Sequence, residues 1–214
     1  MAHGIVLQTQ PDAPAGLLAD WAARRGIGLE TVRVNEHGAY PDPRDPDFVV
    51  ALGSGATAAG GGPDWVDEEI EWLREADAVA LPVLGICFGA QALAAALGGT
   101  VTRAPRTEIG WIDVDGTDGY GGSWFTWHED AFTVPPGAVE LARAPSGPQA
   151  FALGRSVGVQ YHPEVTPKIV DDWLADGNAV PDPEPLRRET ARRAQDARER
   201  AFRLFDRISA VWGT

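Results

Sequence analysis

Four short apolar runs, separated by segments with helical spacing, are the feature that most constrains the fold of this chain. The runs are Gly4–Gln8, Phe48–Leu52, Pro82–Ile86 and Ser156–Tyr161. Continuous apolar runs are typical of strands that are buried on both faces of a parallel sheet. Intervening helices favour a sheet that is covered on both sides. We therefore predict an α/β protein with an open, mostly parallel, twisted sheet and helices on both faces.

Helical spacing of apolar residues fills the segments between these runs. It predicts helices over Ala13–Arg25, Asp64–Ala80 and Phe88–Leu97, while Leu29–Val34 alternates as a strand does. A further helix is expected over Thr166–Ala175, because it begins with Thr-Pro, which suits a helix cap and first turn.

The segment Thr100–Leu153 differs from its surroundings. Gly and Pro divide it into short strand-like pieces. This pattern fits either an antiparallel flap or a continuation of the main sheet, and the sequence leaves both alternatives open.

The C-terminal part of the chain has the pattern of an amphipathic helix. After a linker at Asn178–Pro185, apolar residues recur at every third or fourth position, with Arg between them. Such a helix packs on its own domain or forms a surface for a partner or a homodimer. We therefore divide the chain into a domain over residues 1–177, a linker over 178–185 and a helix over 186–214.

The net charge argues against two classes of partner. The chain has 18 Lys and Arg against 31 Asp and Glu, a formal net charge of −13. Such a chain repels nucleic acid and anionic membranes, and no apolar stretch has the length of a membrane span. A single cysteine, and an N-terminus that resembles a first strand rather than a signal peptide, favour the cytoplasm.

The sequence predicts neither a metal nor a cofactor. One cysteine and four scattered histidines lack the spacing of a zinc site. The glycine-rich loop after Phe48–Leu52 lacks the Gly-Lys-Ser/Thr ending of an ATP-binding loop.

The only cysteine lies in a Gly-x-Cys-x-Gly pattern. Cys87 follows the apolar run Pro82–Ile86 and precedes the helix predicted at Phe88–Leu97. A strand, a sharp glycine-flanked turn and a helix form a nucleophile elbow, which projects the reactive side chain from the carboxyl edge of the sheet. The N-terminus of the following helix favours a thiolate and an oxyanion. The alternative is a buried cysteine that only fills space.

The end of the last apolar run carries partners for such a nucleophile. His162 directly follows Ser156–Tyr161, and Glu164 lies two residues further on. A carboxylate that holds one imidazole nitrogen leaves the other free to face the thiol. Each feature alone has a structural explanation, but their coincidence at the ends of predicted core strands favours a triad of Cys87, His162 and Glu164.

Two segments that contain these residues resemble a known family. PVLGICFGAQALAAALGG and GVQYHPEVTP are similar to the nucleophile and His-Glu motifs of class I (triad-type) glutamine amidotransferases. HPEVT is especially similar to the glutaminase domain of GMP synthetase. The resemblance runs from about Ile5 to about Trp173, which leaves out the C-terminal helix, and it implies a flavodoxin-like fold.

The resemblance implies a mechanism and a set of site residues. Cys87 would attack the side-chain amide of glutamine, with His162 as base and then acid and Glu164 orienting His162. The N–H of Phe88 and one from the loop at Gly53 and Ser54 would hold the oxyanion. The family's substrate glutamine would contact Gln91, together with the segment Trp127, His128, Glu129 and Asp130.

The sequence departs from the family pattern at two places. The oxyanion loop is Leu52-Gly53-Ser54-Gly55 instead of Gly-Gly-Pro, and the non-glycine Ser54 restricts a peptide flip there. At the second place, relatives carry His followed by Gly or Ser, whose backbone holds the α-amino and α-carboxylate groups of glutamine. Here Glu129 follows His128, and it either pairs with the α-ammonium group or points away. His128 itself is expected to be a structural histidine behind the site.

Three functions follow from these residues. The first is a glutaminase that supplies ammonia to a separate acceptor or synthetase. The second is a γ-glutamyl hydrolase that uses the same triad on γ-glutamyl amides without ammonia transfer. The third is a non-catalytic binding protein of the same fold, against which the intact triad argues.

Overall fold

A computed structural model describes residues 2–34, 40–117, 119–175 and 179–213 of the 214-residue chain. The strands in chain order are β1 His3–Leu7, β2 Gly28–Val32, β3 Phe48–Ala51, β4 Val83–Ile86, β5 Val101–Gly116, β6 Gly122–Phe132, β7 Val139–Ala144, β8 Gly147–Leu153 and β9 Ser156–Val159. The helices are α1 Gly16–Arg25, α2 Asp64–Ala78, α3 Phe88–Ala96, α4 Pro167–Ala175 and α5 Glu184–Trp212.

The nine strands form one sheet in the order β2-β1-β3-β4-β9-β8-β7-β5-β6. The first five in this order are parallel, and the remaining pairs are antiparallel. The middle of the chain therefore continues the main sheet, which decides between the two alternatives that the sequence left open. The four predicted apolar runs are all parallel strands of its centre, and the predicted α/β class is confirmed.

The strands in the middle of the chain are longer than the predicted short pieces. β5 has 16 residues and β6 has 11, and the two form a hairpin. Pro105 lies inside β5, where the register shifts between Arg103 and Glu108. An irregularity of this kind accommodates a proline that lacks an N–H for the ladder. The proline interrupts the pairing locally without ending the strand.

Each face of the sheet buries its own apolar cluster. On one face, α1 and α5 pack over the strands through side chains such as Leu18, Leu204 and Ile208. On the other face, α2 and α3 bury residues such as Leu73 and Leu93 against the same strands. A small third cluster joins α4 to the hairpin of β5 and β6.

The C-terminal helix α5 lies on its own chain beside α1. Trp212 stacks on Phe48 of β3, with ring centroids 5.0 Å apart. The indole N–H of Trp21 in α1 donates to Asp206 at 2.7 Å. The boundary between the predicted domain and linker falls at residues 176–178, outside the described residues, so this division stays a prediction. Within the described ranges, no helix has the length and apolar character that a membrane crossing needs.

Candidate active site

Cys87 occupies a sharp turn between β4 and α3. Its backbone angles are φ 53° and ψ −108°, in the region that residues with a Cβ rarely adopt. Strain of this kind is concentrated at functional sites, and it is typical of nucleophile elbows. The side chain is only 4% exposed, and its thiol lies 3.6 Å from the carbonyl oxygen of Trp127.

The two glycines around Cys87 allow close packing of the turn. A Cβ on Gly85 would lie 2.5 Å from the carbonyl oxygen of Gly89. A Cβ on Gly89 would lie 2.1 Å from the carbonyl oxygen of Ala51 in β3. Both separations are shorter than a real contact, so the Gly-x-Cys-x-Gly pattern is a requirement of the backbone.

His162 and Glu164 form a buried pair beside this turn. Nδ1 of His162 lies 2.7 Å from Oε1 of Glu164 and donates to it, and the two residues are 4% and 3% exposed. Nε2 of His162 has no hydrogen-bond partner among the described residues. A Cβ on Gly53 would lie 3.1 Å from Cε1 of His162 and 3.7 Å from Cβ of Cys87. The three side chains of the predicted triad are thus brought together around Gly53.

The charges around His162 favour its protonated form. Burial is the largest single influence and lowers the pKa of His162, but the Glu164 carboxylate and the Cys87 sulfur raise it, and the net pKa lies well above the ordinary value. An imidazolium that faces sulfur stabilises a thiolate, which is the nucleophilic form of cysteine. The Glu164 carboxylate and the Cys87 sulfur thus both favour a charged His162 beside the thiol.

The loop after β3 lies beside the thiol. Gly53 and Ser54 line the same cavity as Cys87 and His162. The Ser54 hydroxyl accepts the N–H of Ala56 at 3.2 Å. Phe88 is the first residue of α3, so its N–H has no acceptor within the helix. These are the donors that the sequence predicted for an oxyanion, and that role stays a prediction.

Gln10 is a site residue that the sequence analysis missed. Its Oε1 accepts the N–H of Gly55 at 2.6 Å, which ties the loop after β1 to the loop after β3. Gln10 also lines the cavity that contains Cys87. No motif marks this contact, because it joins residues 45 positions apart.

The segment Trp127–Asp130 presents one side chain to the cavity. Trp127 lines it, whereas the Glu129 carboxylate is exposed and pairs with Arg103. Asp130 accepts the hydroxyl of Thr57 at 2.6 Å. Both side chains thus have partners within the protein, and the substrate contacts predicted for Glu129 and Asp130 stay predictions.

His128 is buried behind the site. Its Nδ1 lies 2.9 Å from the carbonyl oxygen of Asp130, and its Nε2 lies 3.1 Å from Oε2 of Glu108. Burial lowers the pKa of His128, although Glu108 acts in the opposite direction. Both ring nitrogens lie within hydrogen-bond distance of protein oxygen atoms, and the roles predicted for His128 stay predictions.

Gln91 is buried one helical turn after Cys87. Its Nε2 donates to the carbonyl oxygen of Asp130 at 3.1 Å and to Oε1 of Gln160 at 3.2 Å. Both protons of the amide are therefore used within the protein. The substrate contact predicted for Gln91 stays a prediction.

The thiol opens into a cavity of about 360 Å³. Two indoles, Trp127 and Trp173, form part of its wall, with ring centroids 5.8 Å apart. The Trp173 ring also packs against the ring of His162, with ring centroids 4.9 Å apart. Asp12 and Ala179 also line the cavity. The volume lies in the lower part of the range for small-molecule sites. Among the described residues, no cluster of His, Cys, Asp and Glu has the geometry of a metal site.

Comparison with known proteins identifies the family of this chain. The sequence model of the family described as glutamine amidotransferase class-I matches residues 17–177. The chain belongs to this family. The predicted resemblance to the class I glutamine amidotransferases is thereby confirmed.

Individual relatives agree with this membership. The glutamine-hydrolyzing GMP synthase of Aeropyrum pernix is 34% identical over 187 residues, which cover 77% of this chain and 36% of that protein. The chain thus spans about a third of the length of the curated relatives that it matches.

Solved structures extend the similarity of fold to nearly the whole chain. A glutamine amidotransferase from Thermotoga maritima has a TM-score of 0.85 at 23% identity, covering 97% of each chain. Another from Methylobacillus flagellatus has a TM-score of 0.85 at 25% identity, covering 99% of this chain and 93% of that one. Coverage of this extent includes α5, which lies beyond the residues that the family match covers.

Proposed function

We propose that this chain is a glutaminase that hydrolyses the side-chain amide of glutamine through Cys87, His162 and Glu164. The observation that most supports the proposal is the His162 ring, which Glu164 holds at 2.7 Å while Nε2 has no hydrogen-bond partner in the described part of the chain. This arrangement lies beside a cysteine in a strained elbow.

In the proposed reaction, the Cys87 thiolate attacks the amide carbon and forms a tetrahedral intermediate. Donors at Gly53 or Ser54 and at Phe88 stabilise the oxyanion. The His162 imidazolium gives its proton to the leaving nitrogen, so that ammonia departs and a γ-glutamyl thioester remains. His162 then removes a proton from water, which attacks the thioester to release glutamate and restore the thiolate.

We further propose that the ammonia passes to an acceptor on a separate synthetase. The relatives support this, because they are glutamine-hydrolyzing GMP synthases and this chain is similar to 36% of the Aeropyrum protein. The expected cytoplasmic location is compatible with such a partner. A homodimer stays an open prediction.

A second candidate is hydrolysis of γ-glutamyl amides with larger leaving groups. The indoles of Trp127 and Trp173 favour it, since they give the cavity wall an aromatic surface that suits an apolar or cationic amine. The same triad would release an amine in place of ammonia.

Glutamate release distinguishes these functions. Purified protein is incubated with glutamine and, separately, with γ-glutamyl amines, and Cys87→Ala serves as the inactive control. Turnover of glutamine supports the main proposal, and turnover only of γ-glutamyl amines supports the second candidate. Two results together would show that both proposals are wrong. Neither substrate yields glutamate, whether or not a candidate synthetase is present, and a glutamine-like electrophile fails to label Cys87.

A further inference from the structure

Gln160 lies against the candidate nucleophile. It directly follows β9, and at 1% exposure it is one of the most deeply buried polar residues of the chain. Its Nε2 lies 3.7 Å from Sγ of Cys87, within the distance at which an amide N–H donates to sulfur. Neither the motifs nor the proposed mechanism assigns a role to this side chain.

The orientation of the Gln160 amide follows from its neighbours. The carbonyl oxygen of Asp130 only accepts hydrogen bonds, so the atom of Gln91 that lies 3.1 Å from it is the NH₂ group. The second N–H of that group points to the Gln160 amide at 3.2 Å, which requires the oxygen of Gln160 to face it. The NH₂ group of Gln160 is thereby directed at sulfur. One backbone carbonyl thus orients both amides.

A second close neighbour of the sulfur, the backbone carbonyl of Trp127, has the opposite character. The carbonyl oxygen of Trp127, 3.6 Å from Sγ of Cys87, accepts a hydrogen bond from the protonated thiol and has no proton to offer a thiolate. Gln160 does have one. The two neighbours therefore stabilise different protonation states of the sulfur.

We propose that Gln160 is a positioning residue that stabilises the thiolate of Cys87, and that Gln91 acts behind it by orienting the Gln160 amide from the carbonyl of Asp130. The amide N–H complements His162 by approaching the sulfur as a neutral donor. Gln91 thus acts on the nucleophile through Gln160. We call this arrangement of Gln91, Gln160 and Cys87 the relay. Its contribution to turnover rests on the proposed glutaminase function, but its effect on the sulfur is measurable without turnover.

The test is the pH dependence of Cys87 alkylation by iodoacetamide. The thiolate is the reactive form, and Cys87 is the only cysteine in the chain, so the signal has one source. Gln160→Met removes the donor while keeping a side chain of similar length. We expect the midpoint of the rate profile to rise by about one pH unit, which makes alkylation roughly tenfold slower below it.

Two further variants test the relay. Gln91→Met leaves the Gln160 amide free to rotate, so the midpoint is expected to rise by less than in Gln160→Met. The double variant is expected to match Gln160→Met alone, because both changes act on the same N–H. Gln149→Met is the matched control, since Gln149 is also buried and its Nε2 donates to Ser146 instead of approaching the sulfur.

Each outcome has a defined meaning. A wild-type midpoint in folded Gln160→Met, as judged by thermal unfolding, overturns the proposal. If Gln160→Met does not fold, Gln91→Met decides, and a wild-type midpoint there overturns the relay. A shift in Gln149→Met as large as that in Gln160→Met attributes the effect to packing and also overturns it. A shifted midpoint in a protein that releases no glutamate keeps the relay and rejects only the proposed function.

Discussion

Glu164 holds His162 through a hydrogen bond of 2.7 Å between Oε1 and Nδ1, and both side chains are buried. The second carboxylate oxygen, Oε2, has no hydrogen-bond partner among the described residues. A buried carboxylate with few partners depends on the neighbouring positive charge for its stability. The Glu164 carboxylate raises the pKa of His162, and the Cys87 sulfur on the cavity side acts in the same direction.

The first prediction concerns this carboxylate. Glu164→Gln removes the charge that raises the pKa of His162, so burial, which lowers that pKa, is then opposed by Cys87 alone. We expect turnover of the substrate to fall by about 10²-fold or more. The limb of the pH profile that follows deprotonation of His162 should move to lower pH. Glutamate release measured across pH tests this, with Glu199→Gln as control because that carboxylate is exposed on α5, outside the cavity. Equal losses in both variants would contradict the prediction.

The second prediction concerns the loop that carries the oxyanion donors. Gln10→Met removes the acceptor of the Gly55 N–H and frees the loop to move. A displacement of reacting groups by about 1 Å is enough to reduce turnover by roughly 10²-fold. We expect kcat to fall tenfold to hundredfold by that estimate, with a smaller change in KM. Gln195→Met is the control, because Gln195 is exposed on α5 and its amide donates to Glu199 on the same helix. Unchanged kcat in Gln10→Met would exclude the loop contact as functional.

These two residues also show what the sequence could and could not predict. Glu164 was predictable because it follows His162 by two positions at the end of a buried strand, so local spacing defines the contact. Gln10 was not, because its partner is 45 positions away and depends on how two loops meet at the edge of the sheet. The orientation of Gln160 was hidden for the same reason, although the residue lies inside the recognised motif.

The fold likewise has parts that the sequence could predict and parts that it could not. Apolar continuity predicted the parallel strands, because burial on both faces leaves a direct record in the sequence. The hairpin of β5 and β6 was predicted as shorter pieces, because a proline normally ends or weakens a strand. Pro105 falls at a local irregularity of the ladder, and whether a strand resumes after such a residue depends on the partner strand.

The third prediction concerns the attachment of α5. Trp212 is 6% exposed, stacks on Phe48, and donates its indole N–H to the carbonyl of Arg155 at 3.0 Å. Trp212→Ala removes this packing, and we expect the free energy of unfolding to fall by about 3–5 kcal/mol. Val211→Ala is the control, because Val211 is 56% exposed and should change it by at most about 0.5 kcal/mol. Denaturant unfolding measures both, and similar small losses would show that the end of α5 is dispensable.

The fourth prediction concerns a buried acid on α2. Burial raises the pKa of Glu69 from 4.5 to about 8, and the hydroxyl of Tyr40, 3.4 Å from Oε2, only partly offsets this. Because the folded-state pKa is raised, the stabilisation is complete below the unfolded value and is lost as pH rises through about 8. The glutamine of Glu69→Gln does not ionise, so the variant should not lose this stability as pH rises.

The difference between wild type and Glu69→Gln measures that effect. We expect the free energy of unfolding of Glu69→Gln, relative to that of the wild type, to increase as pH rises from about 5 to about 9. The increase should be on the order of one kcal/mol per pH unit and a few kcal/mol in total. Glu68→Gln is the matched control, because its carboxylate is exposed on the same helix. Denaturant unfolding at several pH values gives both curves. Parallel curves for wild type and Glu69→Gln would mean that Glu69 ionises in the folded protein as it does in the unfolded chain.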